Sequence, residues 1–234
     1  GNTAVSPNIS DAILMKNSNK GYAYVLTAQV QKNTNNFFGS IAYTFSEAKS
    51  INDGGSIAQS MWRDRPVTND PNTDQLGFAN FYQPHRVIAQ ASYRVSYAKH
   101  FATSIGLIFE ASSGNTGSYV YNGDVNGDGL LTNDLMYIPR NSSEIVLERV
   151  NASDPRTSAQ IWAQLDAYIN QDWYLSRNRG EYAERNAAIA PFFKRLDLNI
   201  TQDFSVKIGK QRNTIRLTFD IINFGNLVNR RWGV

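Results

Sequence analysis

Apolar and polar side chains alternate along three pairs of long segments, the period expected of strands with two unlike faces. Between 21 and 32, Tyr22, Tyr24, Leu26, Ala28 and Val30 share one face, against Ala23, Val25, Thr27, Gln29 and Gln31. After the polar turn Lys32–Asn36, the segment 37–48 sets Phe37, Gly39, Ile41, Tyr43 and Phe45 against Phe38, Ser40, Ala42, Thr44 and Ser46. A second pair, 86–97 and 101–110, flanks the turn Ala98–His100. Its apolar face carries Val87, Tyr93, Val95 and Tyr97, then Phe101, Ile105, Leu107 and Phe109. The third pair, 194–206 and 213–223, flanks the basic turn Lys207–Arg212. There Leu196, Leu198, Ile200 and Phe204 join Ile215, Leu217, Phe219 and Ile221 on one side, with Arg195, Asp197, Asn199, Asp203, Arg216, Thr218 and Asp220 on the other. The prediction is an all-β, antiparallel fold of six long strands in three hairpins.

The connections are unequal. Within each hairpin the turn is short, whereas 49–85 and 111–193 are long links of a kind rare in compact domains. Strands of about ten residues suit a transmembrane β-barrel, whereas soluble sandwich strands run nearer about five or six. Short periplasmic turns and long extracellular loops complete that pattern. The expectation is therefore a transmembrane β-barrel segment, its short turns periplasmic and its long loops outside. Tyr22, Tyr97, Phe101 and Phe109 sit where interfacial aromatic girdles belong. The charged residues of the third hairpin are expected to pair across the lumen, or to dock a plug.

Composition narrows the partners. The 234 residues carry 23 Lys and Arg and 20 Asp and Glu, scattered and nearly balanced, which excludes a nucleic-acid surface. Cysteine is absent, so disulfides and thiolate metal sites are excluded. Tyr and Phe, twelve of each, favour strands. No apolar run approaches the roughly 18 residues of a spanning helix. No leader pattern stands at Gly1, so a partial or processed chain is expected. Catalysis is not expected: His85 and His100 are the only histidines, both at strand ends, and no catalytic or phosphate-cradling motif is present. Glu181 and Glu184, beside Arg179 and Arg185, are expected to hold a loop by mutual pairing.

Two features stand out in the second long loop. Asp124-Val125-Asn126-Gly127-Asp128-Gly129 opens a D-x-N-x-D-G loop, whose oxygens at alternate positions converge on a hard cation such as Ca²⁺. Thr132 and Asp134 complete the candidate set, although the twelfth position is Leu135 rather than Glu. The alternative is an Asx-rich turn that binds nothing. Further on, Pro155–Asn170 predicts one short amphipathic helix, capped by Asp154, with Ile161, Leu165, Tyr168 and Ile169 on its packing side.

Four segments carry a family resemblance: GDVNGDGLLTNDLMYIP (Gly123–Pro139), RGEYAERN (Arg179–Asn186), RLDLNITQDF (Arg195–Phe204) and FDIINFGNLVNRRWG (Phe219–Gly233). In order and spacing they resemble the C-terminal barrel region of TonB-dependent outer-membrane receptors of Bacteroidetes, particularly the Oar-like branch. The resemblance implies an outer-membrane barrel of about 22 strands around an N-terminal plug. It also implies energised uptake of a large nutrient, with outer-membrane lipid, TonB and a surface lipoprotein as partners. Plug and closing strand are absent from the sequence, which ends at Val234, so a share of a larger barrel is expected. Two other functions compete: a passive porin or surface-adhesion barrel, and a soluble calcium-binding all-β module that binds a ligand.

Overall fold

The structure, a computed structural model, describes residues 13–55 and 57–230. Its elements in chain order are β1 (Tyr22–Asn33), β2 (Phe37–Ser50), α1 (Ala58–Arg63), β3 (Gly77–Phe78), β4 (His85–Tyr97), β5 (Phe101–Ser112) and β6 (Thr116–Gly117). There follow α2 (Ser158–Gln171), α3 (Trp173–Arg177), β7 (Ala188–Ile189), β8 (Phe193–Ile208), β9 (Gln211–Ile221) and α4 (Gly225–Val228). The fold is mostly antiparallel sheet, and the chain divides into two compact units. The sheet unit holds Ala23–Glu47, Gln83–Asn115 and the residues from Ala190 onward; the loop unit holds Ala48–Tyr82, Thr116–Ile189 and the described residues up to Tyr22.

All six expected strands form, each within about three residues of its expected bounds, because each needs only a period-two pattern. They pair in the order β1-β2-β4-β5-β8-β9, with β3 beside the far end of β2. Among the described residues the sheet is open, with β1 and β9 as its edges. The register keeps like faces together: Phe37 opposes Tyr93, Tyr93 opposes Ile105, Ile105 opposes Ile200, and Ile200 opposes Phe219. One residue along, Arg94, Ser104, Thr201 and Thr218 form a polar row. A one-residue slip at any pairing would mix the two rows, so the alternation itself fixes the register.

The β1–β2 and β8–β9 turns are tighter than the sequence suggested, and the β4–β5 turn is Ala98–His100 as expected. β8 and β9 are joined by Gly209-Lys210 alone, with Gly209 at φ 62°, so Lys207, Arg212 and their neighbours are strand residues. In the β4–β5 turn, Ala98 and Lys99 both take positive φ, at 48° and 58°. Left-handed backbone costs a residue with a Cβ about 1–2 kcal/mol, and here it matches the twist of the flanking strands.

The loop unit has the buried core. Ile138, Ile169, Leu175 and Ala183 are fully or almost fully buried and are covered by Tyr119, Met136, Leu165 and Tyr174. The expected single loop helix becomes several: α1, α3 and α4 form as well. α2 also begins later than predicted. Thr157, not Asp154, is its N-cap, because Thr157 and Gln160 complete a capping box that Asp154 lacks. Asp154 instead accepts from the Arg156 guanidinium at 2.7 Å and from the Arg156 N–H at 3.1 Å. α3 is capped by Asp172, which accepts the N–H groups of Tyr174 and Leu175. Gly1 and Arg231–Gly233, on which the reading of the chain's two ends drew, lie outside the described residues.

Candidate functional site

The sheet carries two chemically distinct faces, and neither resembles the inside of a soluble domain. On the apolar face, large side chains stand in the open: Leu26 is 65 % exposed, Ile41 53 %, Ile105 50 %, Ile215 69 % and Phe219 66 %. Among the described residues of the sheet unit, the buried apolar side chains are the small ones of Pro84, Ala102 and Ala111. A sandwich strand buries such residues against a second sheet, at roughly 1.5–3 kcal/mol for each large side chain.

Aromatic clusters occupy both ends of that face. Near the β4–β5 turn, Tyr97 stacks on Phe101 at 5.8 Å, and Phe204 meets Phe101 edge-on at 5.7 Å. The same end carries a small polar group, in which Gln202 Oε1 accepts from Thr103 Oγ1 at 2.6 Å and from the Tyr97 hydroxyl at 3.1 Å. At the opposite end, His85 packs against Tyr43, Phe45 and Phe192, and its Nδ1 lies 2.7 Å from the Tyr43 hydroxyl. The Tyr24 hydroxyl donates to Glu47 there. His85 and Tyr97 are the terminal residues of β4. Twelve steps of about 3.3 Å separate the two clusters by roughly 40 Å along the strand.

The opposite face is a ladder of paired charges. Asp203, 2 % exposed, accepts from Arg94 Nη2 at 2.7 Å, from Arg216 Nε at 2.7 Å and from Arg216 Nη2 at 3.0 Å. Arg86 donates to Glu110 at 2.7 Å, Arg195 lies 3.1 Å from Asp197, and Asn199 donates to Asp220 at 2.6 Å. The sequence expectation of mutual pairing therefore describes these residues. It missed Arg94 and Arg86 as partners, because they lie far away in sequence and only the register brings them across.

All five candidate metal ligands fall in one turn of the loop unit, but four of them bond chiefly to the turn itself. Asp124 accepts the N–H groups of Gly127, Asp128 and Gly129, at 2.7, 3.1 and 2.9 Å. Asn126 accepts the Asp128 N–H at 2.8 Å. Asp128 accepts from the Leu130 N–H and from Asn133 Nδ2, both at 2.8 Å. The buried Asp134 accepts the Val125 N–H at 2.8 Å. Thr132 stands exposed outside this network. Gly127 and Gly129, at φ 78° and 89°, supply the left-handed backbone that lets the amides turn inward. Among the described residues, no three acidic or histidine side chains converge as a metal-binding group. Burial works to raise the Asp128 carboxyl, but the bonds from Asn133, Leu130 and Asn126 outweigh it and hold it below the usual carboxylate range. Asn133, buried and bonded to Asp128, is a residue that the motif did not single out.

The loop charges pair differently from the expectation. Arg179 donates to Asp166 at 2.6 Å and Glu184 accepts from Lys49 at 2.6 Å, rather than Glu181 and Glu184 serving Arg179 and Arg185. α2 brings Asp166 to Arg179, and the pairing of β2 with β3 places Lys49 over Phe78, near Glu184. Compared with known proteins, the chain matches no family model, no curated protein and no solved structure.

Proposed function

We propose that this chain supplies wall, lumen lining and outer loops to an outer-membrane β-barrel, and that the complete barrel is a TonB-dependent transporter or receptor for a large nutrient. The observation that carries the reading is the uncovered apolar face, continuous across six strands and bounded at both ends by aromatic clusters. In water such a face is an aggregation hazard; in lipid it is the favoured arrangement. The open edges at β1 and β9 fit the same reading, since strand edges in lipid need further strands to satisfy their N–H and C=O groups. The paired charges opposite then line the lumen, where the plug and water meet them. The transporter half of the proposal is supported by the four resembling segments, and it brings TonB, plug and a surface lipoprotein as partners.

In the same reading the Asp124 turn is a surface loop held by its own amides. Ca²⁺ held by Asp124, Asn126, Asp128, Thr132 and Asp134 is a proposal that rests on the D-x-N-x-D-G spacing alone.

Fractionation of the cells that make the protein tests the barrel. The chain should sediment with outer membranes, need detergent for extraction, and shift in gel mobility on heating. A folded, detergent-free monomer in the soluble fraction would overturn the proposal.

A further inference from the structure

The polar face of the sheet is not uniform in charge. Toward the long-loop ends of the strands, Arg86 and Arg195 share it with the acids Glu110, Asp197 and Asp220 and pair with two of them. Toward the hairpin turns, Arg94, Lys207, Arg212 and Arg216 share the face with a single acid, Asp203. The register sets these residues side by side. Asp203 opposes Arg216, Ser205 opposes Thr214 with their hydroxyl oxygens 2.9 Å apart, and Lys207 opposes Arg212.

Asp203 does not neutralise this end. It is buried, and its two oxygens are taken up by Arg94 and Arg216. Lys207 and Arg212 are exposed, and among the described residues neither has an ion-pair partner. Two cations directly opposite one another weaken a strand pairing. A further donor stands beside them: Arg216 engages Asp203 through Nε and Nη2, which leaves its Nη1, and its side chain is 60 % exposed. The exposed apolar residues of the same hairpin, Val206 and Ile208, alternate with Ser205 and Lys207 and so stand on the opposite face. The strip is therefore open, its donors are unspent, and its charge is uncompensated among the described residues.

We propose that this basic strip docks a carboxylate-rich polypeptide segment laid against the polar face, with Lys207 and Arg212 as its main contacts and Arg216 Nη1 as a third donor. A carboxylate between two cations lies nearer to each than they lie to one another, so the two attractions outweigh the repulsion. The arginines add the planar fork of donors that fits a carboxylate. Lipid headgroups are the poorer match, because the strip is on the face opposite the exposed apolar one. The inference rests on the barrel reading, in which this face lines the lumen and the plug supplies such a segment. It adds the sign of the contact and its depth, at the hairpin turns rather than at the long loops.

The test turns on the sign of one substitution in the full-length protein that carries this chain, refolded into phosphatidylcholine vesicles and unfolded with urea. Without a partner, Lys207→Glu exchanges a repelling pair for an ion pair with Arg212 and raises stability. Against an acidic segment the same change sets like charges together, and the folding equilibrium should fall about fivefold or more. Carbodiimide cross-linking of the unmodified protein keeps the proposal testable if Lys207→Glu fails to fold. Lys207 should be joined to an Asp or Glu outside these 234 residues, and Lys207→Arg should lose that product while keeping its stability. An inserted protein that Lys207→Glu stabilises or leaves unchanged, or cross-links confined to acids of this chain, would overturn the inference and leave the barrel reading standing. A loss of stability seen only when phosphatidylglycerol is added to the vesicles would assign the strip to headgroups and overturn it as well. A protein that inserts into no vesicle would overturn both.

Discussion

Replacing Ile105 by arginine separates a lipid-facing sheet from a water-facing one. Ile105 lies on the apolar face of β5, in the row formed by Tyr93, Ile200 and Phe219, and is 50 % exposed. Four steps of about 3.3 Å from Phe101, at a tilt near 40°, place it roughly 10 Å above the lower aromatic cluster. That is close to the middle of an apolar band about 25 Å tall, where arginine costs about 2–4 kcal/mol. At about 3 kcal/mol the folding equilibrium falls roughly 150-fold. In water the same change, at a half-exposed strand position, is worth within about 0.5 kcal/mol. The control is Thr218→Arg on the opposite face, expected to cost less than about 1 kcal/mol. The assay is urea unfolding of the full-length protein refolded into lipid vesicles, followed by tryptophan fluorescence and heat-modifiable gel mobility. Equal, small effects of Ile105→Arg and Thr218→Arg would refute the assignment of faces.

Four other outcomes concern the loop unit. Thr157→Ala removes the oxygen that accepts the Gln160 N–H at 3.3 Å, so the first turn of α2 should lose about 1 kcal/mol and its amides should exchange roughly fivefold faster; unchanged exchange would reject the capping box. Asp128, held below its ordinary 3.8, stabilises the turn at pH values above that figure and loses this contribution as pH falls through its lower folded value. The Leu130 amide, which donates to Asp128, should therefore become labile only in strong acid, and lability already at pH 5 would contradict the network. Ca²⁺, if bound, should slow proteolysis of the original loop and not of Asp128→Ala, and identical cleavage with and without chelator rejects the cation. Tyr174 accepts the Glu184 N–H at 2.9 Å, and burial pushes its phenol up to about 12. Its neutral form thus stabilises the loop unit fully below pH 10, and that contribution disappears between about pH 10 and 12. Burial pushes Tyr119 up as well, so absorbance at alkaline pH should show a group of late-titrating tyrosines that Tyr174→Phe reduces by one, and an undiminished late phase would contradict the assignment.

The sheet was legible in the sequence because a strand with unlike faces writes its register as a period of two. Tyr22 to Val30 and Phe37 to Phe45 needed no other information, and the strand bounds followed. The loop unit was less legible. Its core joins Ile138, Ile169, Leu175 and Ala183 across more than forty residues, and no periodic pattern connects them. Asp154 before Pro155 looked like a helix start, and the competing Thr157–Gln160 box prevailed because it satisfies two terminal amide groups reciprocally. Arg185 carries no motif. In sequence it is an ordinary loop charge, and only burial distinguishes it. The Asp124 spacing was visible at once, yet its carboxylates turn to the backbone, an orientation that spacing cannot specify.

The central claim is that the two sheet faces meet different solvents, lipid on one side and water on the other. The chain has no cysteine of its own, so single cysteines at successive β5 positions from Thr103 to Phe109 can carry a nitroxide label in the protein embedded in outer-membrane vesicles. Collision rates with oxygen, which partitions into lipid, and with a water-soluble nickel chelate should alternate with period two. Labels at Ile105, Leu107 and Phe109 should favour oxygen, and those at Ser104, Gly106 and Ile108 the chelate. Rates that favour the chelate at every position, with no alternation, would contradict the account.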